Sequence, residues 1–494
     1  MSRFLLALVG FVAATAATPR AASAAEKPNI LFIVADDLRA DLGCYGSVAK
    51  TPNIDALAKR GVRFDLAFCQ QALCNPSRSS FLTGRRPDTL HLWSNGTHFR
   101  EKNPDVVTLP QWFKENGYES RGVGKIFHNW HTKEKGDRRS WSADEFLHYA
   151  NHGDDVPEVK GELPPNIAKG IGRDYGKVPV CERRDVPDEA YYDGRVAAEA
   201  VKVLAAVKDK PFFLAVGFWK PHAPFNAPKK YWDLYDPAKL PKLEIAARPK
   251  GAPEVAFHDG REILGIPPKQ VAPTADQVAE MRHGYFANIS YMDAQVGKVL
   301  KALDDHKLTD RTVVVFVSDH GYHIGEFGLW GKTSCFELDA RVPLIISAPQ
   351  VKKPGRGTAA VAELIDLFPT LTELCGLKNP KGLEGESQVM VLTGAAPNVK
   401  AMAFTQHPRP AYFDRTEKGV PEVMGYSVRT AVRRYTEWRD WATGKVIAAE
   451  HYPAENLLKD PRNRIDDPKT AEGLDVAREV LHRKFPPDVP PAKR

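Results

Sequence analysis

Cys74-Asn75-Pro76-Ser77-Arg78 is the densest piece of chemistry in this chain of 494 residues. A cysteine beside an arginine, at the start of a segment that reads as a helix, lies in an electropositive place. Such a place lowers a thiol's pKa. The residues alone leave two readings open: a buried structural thiol, or a cysteine nucleophile served by a histidine base. A second group is acidic. Asp36-Asp37 and Asp319-His320 each follow a short apolar run. If those runs are strands of one sheet, Asp36, Asp37 and Asp319 converge as three carboxylates. Like charges so close repel unless a cation intervenes. Oxygen-rich ligation selects a hard ion such as calcium or magnesium, with His320 adding a nitrogen or an outer donor. Taken singly, each Asp is also an ordinary cap or turn residue.

The elements that must position these groups are legible. Residues 28–34 (PNILFIV), 211–217 (PFFLAVG) and 311–317 (RTVVVFV) are continuous apolar runs, and 117–123 is a weaker one. Runs of this length suit strands buried on both faces of a parallel sheet. Each is followed by charged residues: Asp36-Asp37, Lys220 with His222, Asp319-His320, and Lys125 with His128. In open α/β sheets, ligands bind beyond the carboxyl ends of the strands. Helical patterns over 51–61, 109–117, 188–207 and 275–303 separate the strands, with Gly297 the weak point of the last. The alternation implies a doubly wound α/β sheet. Residues 129–184 and 229–274 read as surface excursions, and 376–399 as a connection. Residues 425–438 alternate like a β-hairpin and 470–485 read as a helix, together a small C-terminal α+β unit.

Composition excludes some classes. The net charge of +7 is mild and spread out, which fits an anionic substrate, and no basic run suggests a nucleic-acid arm. Residues 1–24 have a positive start, an apolar stretch and an A-x-A-type site, the layout of a secretory signal peptide. No later segment is apolar enough to span a membrane, so an exported protein is expected, periplasmic or secreted. Six cysteines in a chain this long are not a disulfide framework. With Cys74 set aside for chemistry an odd number remains, so at least one other is a free thiol.

Taken together the motifs resemble the sulfatase family, in which the signature cysteine is oxidised to formylglycine. Cys74-x-Pro76-x-Arg78 with Leu82-Thr83-Gly84-Arg85 matches that signature. Asp36-Asp37, Gly124-Lys125-x-x-His128, Lys220-Pro221-His222, Ser318-Asp319-His320-Gly321 and Gly331-Lys332 match in family order. Arg85-Arg86-Pro87-Asp88, the block from Tyr285 to Gly297, and His320 where many sulfatases have Asn are most similar to the iduronate 2-sulfatase branch. The resemblance implies an alkaline-phosphatase-like fold: a large mixed, mainly parallel sheet between helices, over residues 27–385, with a smaller C-terminal α+β subdomain over 400–494. It implies one calcium ion held by Asp36, Asp37, Asp319, His320 and modified Cys74. Arg78 would stabilise the hydrated aldehyde, Lys125 and Lys332 would hold sulfate oxygens, His222 would protonate the leaving alcohol and His128 would deprotonate the remaining hydroxyl. A sulfatase-maturing enzyme is then an implied partner, and a sulfated saccharide, such as a 2-O-sulfated uronic acid, the implied substrate.

Asn75 stands where small residues are common in the family, and the 450–466 stretch follows the family's ending only loosely. Peripheral residues His91, His98, Arg100, Trp330 and His407 are candidates for sugar contact, and Asn95-Gly96-Thr97 fits a glycosylation acceptor. Rival readings are a choline- or aryl-sulfatase, a phosphodiesterase or phosphonate hydrolase on the same fold, and a non-catalytic binder of sulfated glycan should Cys74 stay unmodified.

Overall fold

The computed structural model describes residues 27–128, 132, 134–146, 180–265, 270–458 and 461–494. The signal-peptide reading and most of the 129–184 excursion lie outside these.

The apolar runs are strands, and they sit side by side. A seven-stranded sheet has the order Arg356–Glu363, Val62–Phe68, Arg341–Ser347, Thr312–Ser318, Asn29–Asp36, Phe212–Pro221, Glu119–Gly124. Arg341–Ser347 alone runs antiparallel to both of its neighbours. The central strand Asn29–Asp36 is buried along its whole length. Its side chains alternate between two cores, as a period of 2 requires. Leu31 and Ile33 join one core with residues of helices Pro52–Arg60, Tyr192–Val207 and Ala275–Asp305. Ile30, Phe32 and Val34 join the other with helices Cys74–Thr83, Leu109–Glu115 and Leu367–Leu374. This is the three-layer α/β architecture the strand and helix patterns call for.

Register then fixes the chemistry. Ala35 pairs with Ser318 and Asp36 with Pro221, while Gly124 pairs with Gly217. All four charged strand ends therefore open on one edge. Gly217 is needed there, because a Cβ would lie 1.9 Å from the Lys125 carbonyl oxygen. The long helix's Gly297 is explained similarly: a Cβ would lie 2.4 Å from Asn53 Oδ1. Asn53 Nδ2 and the Ile54 N–H both donate to Asp293, at 2.7 and 2.8 Å, which caps the neighbouring helix.

A second, antiparallel sheet runs Met402–Arg409, Val423–Thr430, Arg433–Asp440, Val446–Pro453, with helix Ala471–Lys484 packed on it. The expected hairpin and terminal helix are both present, and the hairpin belongs to a four-stranded sheet. The 229–274 stretch is not the plain surface excursion expected. It carries short helices whose Trp232 and Ile263 are buried in the main core, because the long helix leaves an apolar flank that these side chains cover. Residues Cys181–Arg184, expected to be part of an excursion, form a short strand paired with Phe225–Pro228. All six cysteines are free thiols, and Cys44 alone is not fully buried.

The two sheets are clamped by charge. Glu337, 4% exposed, precedes the antiparallel strand of the large sheet and accepts from Arg429 Nε at 3.0 Å and Arg434 Nη2 at 2.8 Å, both on the small sheet. Burial alone would raise its pKa; the two guanidiniums outweigh it and hold the carboxyl down at about 2. Removing one partner of a buried charge pair strands the other. Glu337→Gln is expected to cost ~3 kcal/mol in urea denaturation at neutral pH. Because the folded value lies below the ordinary 4.5, that deficit should shrink as pH falls from 4.5 towards about 2, where wild type also loses the charge.

Candidate active site

Each charged strand end delivers its side chain to one buried pocket. Asp36 closes the central strand, and Asp37 follows with φ of 64°, a left-handed conformation that Asp tolerates better than most residues. That turn is pinned twice: the Asp37 carbonyl accepts from Tyr285 Oη at 2.8 Å, and the Asp37 N–H donates to Asp319 Oδ1 at 3.2 Å. Tyr285, part of the branch-specific block, thus does structural work at the site.

Helix Cys74–Thr83 starts with Cys74 and is buried at every position. It stops at Gly84, whose φ is 67° and whose absent Cβ would meet Leu383 at 2.6 Å. Its first turn is fixed from outside. The Asn75 amide donates to the carbonyls of Ser94 and Thr97 at 2.9 and 2.8 Å, and the Asn75 N–H donates to Asn95 Oδ1 at 3.0 Å. Asn95 therefore braces the cysteine-bearing helix. Arg78, fully buried, donates to Asp319 Oδ2 at 2.8 Å, to Asp36 Oδ1 at 3.4 Å and to the carbonyls of Lys125 and Ile126.

Cys74 Sγ lies 3.3 Å from His320 Nε2, 3.5 Å from Asp36 Oδ1 and 3.6 Å from Lys125 Nζ. Lys125 also contacts Asp36 directly. Lys332 Nζ sits 3.0 Å from both Asp37 oxygens. A short pair of strands, His323–Ile324 with Trp330–Gly331, carries Lys332 there. His222 Nε2 lies 3.8 Å from Asp37 Oδ2. His128 is buried, three residues beyond Lys125.

The expectation of a lowered thiol pKa fails. Burial first, and then the Asp36 charge, push Cys74 up to about 12 despite Lys125 and Lys332. This surrounding favours the protonated thiol unless a cation binds the sulfur. Burial, and then the Lys332 charge, hold His222 down at about 3. The adjacent carboxylates split. Asp36 is held well below its ordinary value, because Lys125, His222, Arg78 and Lys332 together outweigh its burial. Asp37 is pushed well above its own by burial, with Glu262 and Asp36 adding to it. With Glu262 the pocket holds four carboxylates against Arg78, Lys125 and Lys332, an excess of negative charge that a cation meets. Ligand atoms of Asp36, Asp37, Cys74 and His320 lie within 4.8 Å of one another. Asp319 stands beside this quartet, its Oδ2 3.6 Å from His320 Nε2. Three carboxylates and an imidazole fit a hard cation.

The sulfatase family model matches residues 28–377, and the model of the N-sulphoglucosamine sulphohydrolase C-terminal region matches 325–440. This chain belongs to the sulfatase family. It is 35% identical to the iduronate 2-sulfatase of Mus musculus over 90% of this chain and 91% of the relative. It is 34% identical to that of Homo sapiens over 88% and 89%. A phosphonate monoester hydrolase from Silicibacter pomeroyi superposes with a TM-score of 0.73 at 23% identity, covering 93% of this chain and 95% of that one. The fold is alkaline-phosphatase-like, and this sulfatase is a hydrolase of sulfate esters.

Four of the five peripheral sugar-contact candidates are committed inside the protein. His98 caps a helix through Nδ1, and its Nε2 lies 3.1 Å from the Gly136 carbonyl. Arg100 pairs with Asp137 at 2.7 and 2.8 Å. Trp330 and His407 are buried. His91 is exposed.

Sequence reasoning missed three groups. Glu262 accepts from Lys332 at 2.8 Å. Tyr412, beyond the first strand of the small sheet, packs with Leu73 next to Cys74 and donates to Glu262 at 3.4 Å. Asp193 accepts from the N–H groups of Trp219 at 2.8 Å and Lys220 at 3.0 Å, clamping the strand end that presents His222. An acidic residue at the start of a helix facing a strand end was the available signal for Asp193; Glu262 and Tyr412 had none. Asp193→Asn replaces two acceptors by one and sets an amide donor against an N–H. It is expected to cost ~1–3 kcal/mol in a thermal melt and to lower kcat/KM for a sulfate ester about 10–100-fold. Wild-type turnover in that variant would show that the strand end needs no such clamp.

Proposed function

We propose that this sulfatase removes sulfate from a sulfated saccharide of the iduronate 2-sulfatase type, a 2-O-sulfated uronic acid, using residue 74 as formylglycine beside a calcium ion. The observation that carries this is the convergence on Cys74 of His320, Asp36 and Lys125 within 3.6 Å. The identity to iduronate 2-sulfatases over nearly the whole chain supports the substrate class.

In this reading Cys74 Sγ stands where the hydroxyls of the hydrated aldehyde would be. Asp36, Asp37, Asp319, His320 and residue 74 would hold a calcium ion, which would supply Lewis-acid polarisation of the sulfate. A formylglycine at residue 74, once hydrated, would supply two hydroxyls on one carbon, one to displace the sugar oxygen at sulfur and one whose deprotonation would expel the sulfate and restore the aldehyde. Arg78 orients that residue through the carboxylates it bridges. Lys125 and Lys332 bind the sulfate oxygens as point charges. His222 gives its proton to the leaving sugar oxygen, and His128 takes one from the remaining hydroxyl. Burial first, and then Lys332, keep His222 unprotonated; sulfate paired with the lysines relieves the second cause.

The catalytic portion is assigned to residues 27–385 and a supporting subdomain to 400–494. Residues 1–24 are assigned as an export signal, and a maturing enzyme must act on Cys74. Among the described residues no helix is long and apolar enough to cross a membrane.

The deciding experiment is the mass of the Cys74 tryptic peptide from the native host. A loss of ~18 Da marks the aldehyde; an unmodified thiol sinks this mechanism. Cys74→Ser is expected to abolish turnover of a sulfated uronide while leaving the thermal melt within ~1 kcal/mol of wild type, since only one buried atom changes.

A further inference from the structure

Glu262 faces the proposed sulfate cradle from a loop that no motif marks. It lies in the short helix Arg261–Leu264 and is 6% exposed. Its Oε1 accepts from Lys332 Nζ at 2.8 Å and from Tyr322 Oη at 3.2 Å, and its Oε2 accepts from Tyr412 Oη at 3.4 Å. His222 Nε2 lies 3.8 Å from Oε1. Donors on both oxygens favour the ionised carboxylate. The Lys332 ammonium is therefore shared between two carboxylates, Asp37 at 3.0 Å and Glu262 at 2.8 Å. Asp37 belongs to the cation-binding set. Glu262 lies outside the quartet of Asp36, Asp37, Cys74 and His320, though its ligand atom also falls within 4.8 Å of those of Asp37 and His222, and one carboxylate is enough to hold a lysine in place. What Glu262 adds is a negative charge beside the seat of the anion.

Hydrolysis of a sulfate ester gives that charge a meaning. The ester R–O–SO3− carries one negative charge at sulfur. Water cleaves it to R–OH, SO4 with two negative charges, and a proton. A phosphate monoester carries close to two charges at neutral pH, because its second ionisation lies near pH 6. A fixed carboxylate against the anion penalises two charges more than one.

We propose that Glu262 discriminates by charge, favouring the singly charged sulfate ester over a doubly charged phosphate ester and over the doubly charged sulfate product. The inference rests on the sulfatase reading of Lys332. Glu262 acts through the cradle's field rather than on the reacting atoms. A merely structural role would lower every substrate alike and would weaken, not strengthen, sulfate binding.

The test uses the full chain as wild type, Glu262→Gln, Glu262→Asp and Tyr412→Phe. Steady-state kcat/KM is measured with para-nitrophenyl sulfate and para-nitrophenyl phosphate, and binding of inorganic sulfate by calorimetry. In Glu262→Gln the phosphate-to-sulfate ratio of kcat/KM should rise about tenfold and inorganic sulfate should bind about tenfold tighter, the scale of one partly screened buried charge. Glu262→Asp should stay near wild type. Tyr412→Phe keeps the carboxylate and removes a donor that spreads its charge, so the ratio should fall about twofold; it decides the matter if Glu262→Gln does not fold. An unchanged ratio with unchanged or weaker sulfate binding in Glu262→Gln overturns the proposal, as does a ratio that rises in Tyr412→Phe. Wild type that cleaves no sulfate ester would instead sink the sulfatase reading, and sulfate binding to wild type and Glu262→Gln would still decide the charge effect.

Discussion

Packing four carboxylates against one arginine and two lysines in a buried pocket is the constraint on which the rest of this structure depends. Asp36, Asp37, Asp319 and Glu262 are each at most 6% exposed. Buried like charges are tolerated only when opposite charges and hydrogen-bond donors are fixed against them. Here Arg78, Lys125 and Lys332 supply the charge, and each arrives from a different part of the chain. The unrelieved excess falls on Asp37. A divalent cation and an anionic substrate then have complementary places to go, and neither is accommodated by any one element alone.

Sheet register makes that arrangement possible. Only if Ala35 pairs with Ser318, and Asp36 with Pro221, do the polar strand ends open on a common edge. A slip of one residue would turn Leu31 and Ile33 to the wrong core, so burial on both faces fixes the register that the chemistry needs. The surrounding helices do more than cover the sheet. Through Tyr285 the long helix holds the Asp37 turn, and through Tyr291 Oη, which accepts from the Gly194 N–H at 2.7 Å, it holds the helix bearing Asp193. The small sheet closes the other side. Arg409 donates to the Thr333 carbonyl at 2.9 Å, next to Lys332, and Tyr412 reaches Glu262. Stability and site geometry thus share residues.

Much of this was legible in the sequence. Three of the apolar runs announced strands because both of their faces are buried, the weaker fourth is the half-buried edge strand Glu119–Gly124, and Asp36, Lys125, His222 and Asp319 were legible because they follow those runs. Gly297 was readable only as a blemish in a helical pattern, since the side chain it makes room for, Asn53, is over 200 residues away. Glu262 and Tyr412 sit in polar, irregular chain, where an acidic or aromatic residue carries no periodic signal. The thiol expectation failed for an energetic reason. Proximity to Arg78 was read correctly, but Arg78 spends its charge on Asp319 and Asp36, and burial then dominates at Cys74. For His98 and Arg100 the sequence does not show that the side chain also caps a helix or pairs with Asp137.

Fold alone leaves the leaving group open. A phosphonate monoester hydrolase superposes on nearly the whole chain, so the same sheet and helices serve esters of phosphorus. A phosphonate monoester carries one negative charge, as a sulfate ester does, so on such a scaffold charge separates sulfate esters from phosphate monoesters, and only shape and contacts separate them from phosphonates. Sulfate and phosphate esters are close in size and tetrahedral form, and differ chiefly in how many negative charges they bring at neutral pH. Lysines, being point charges on long stems, fix the position of an anion without counting its charges. Counting falls to the fixed carboxylates that remain near the lysines once a cation has been accommodated. In this protein that group is Glu262, tied to Lys332, Tyr322 and Tyr412 and absent from every strand-end motif. Specificity between two chemistries on one fold can then reside in a loop residue, while the strand ends retain the machinery common to both.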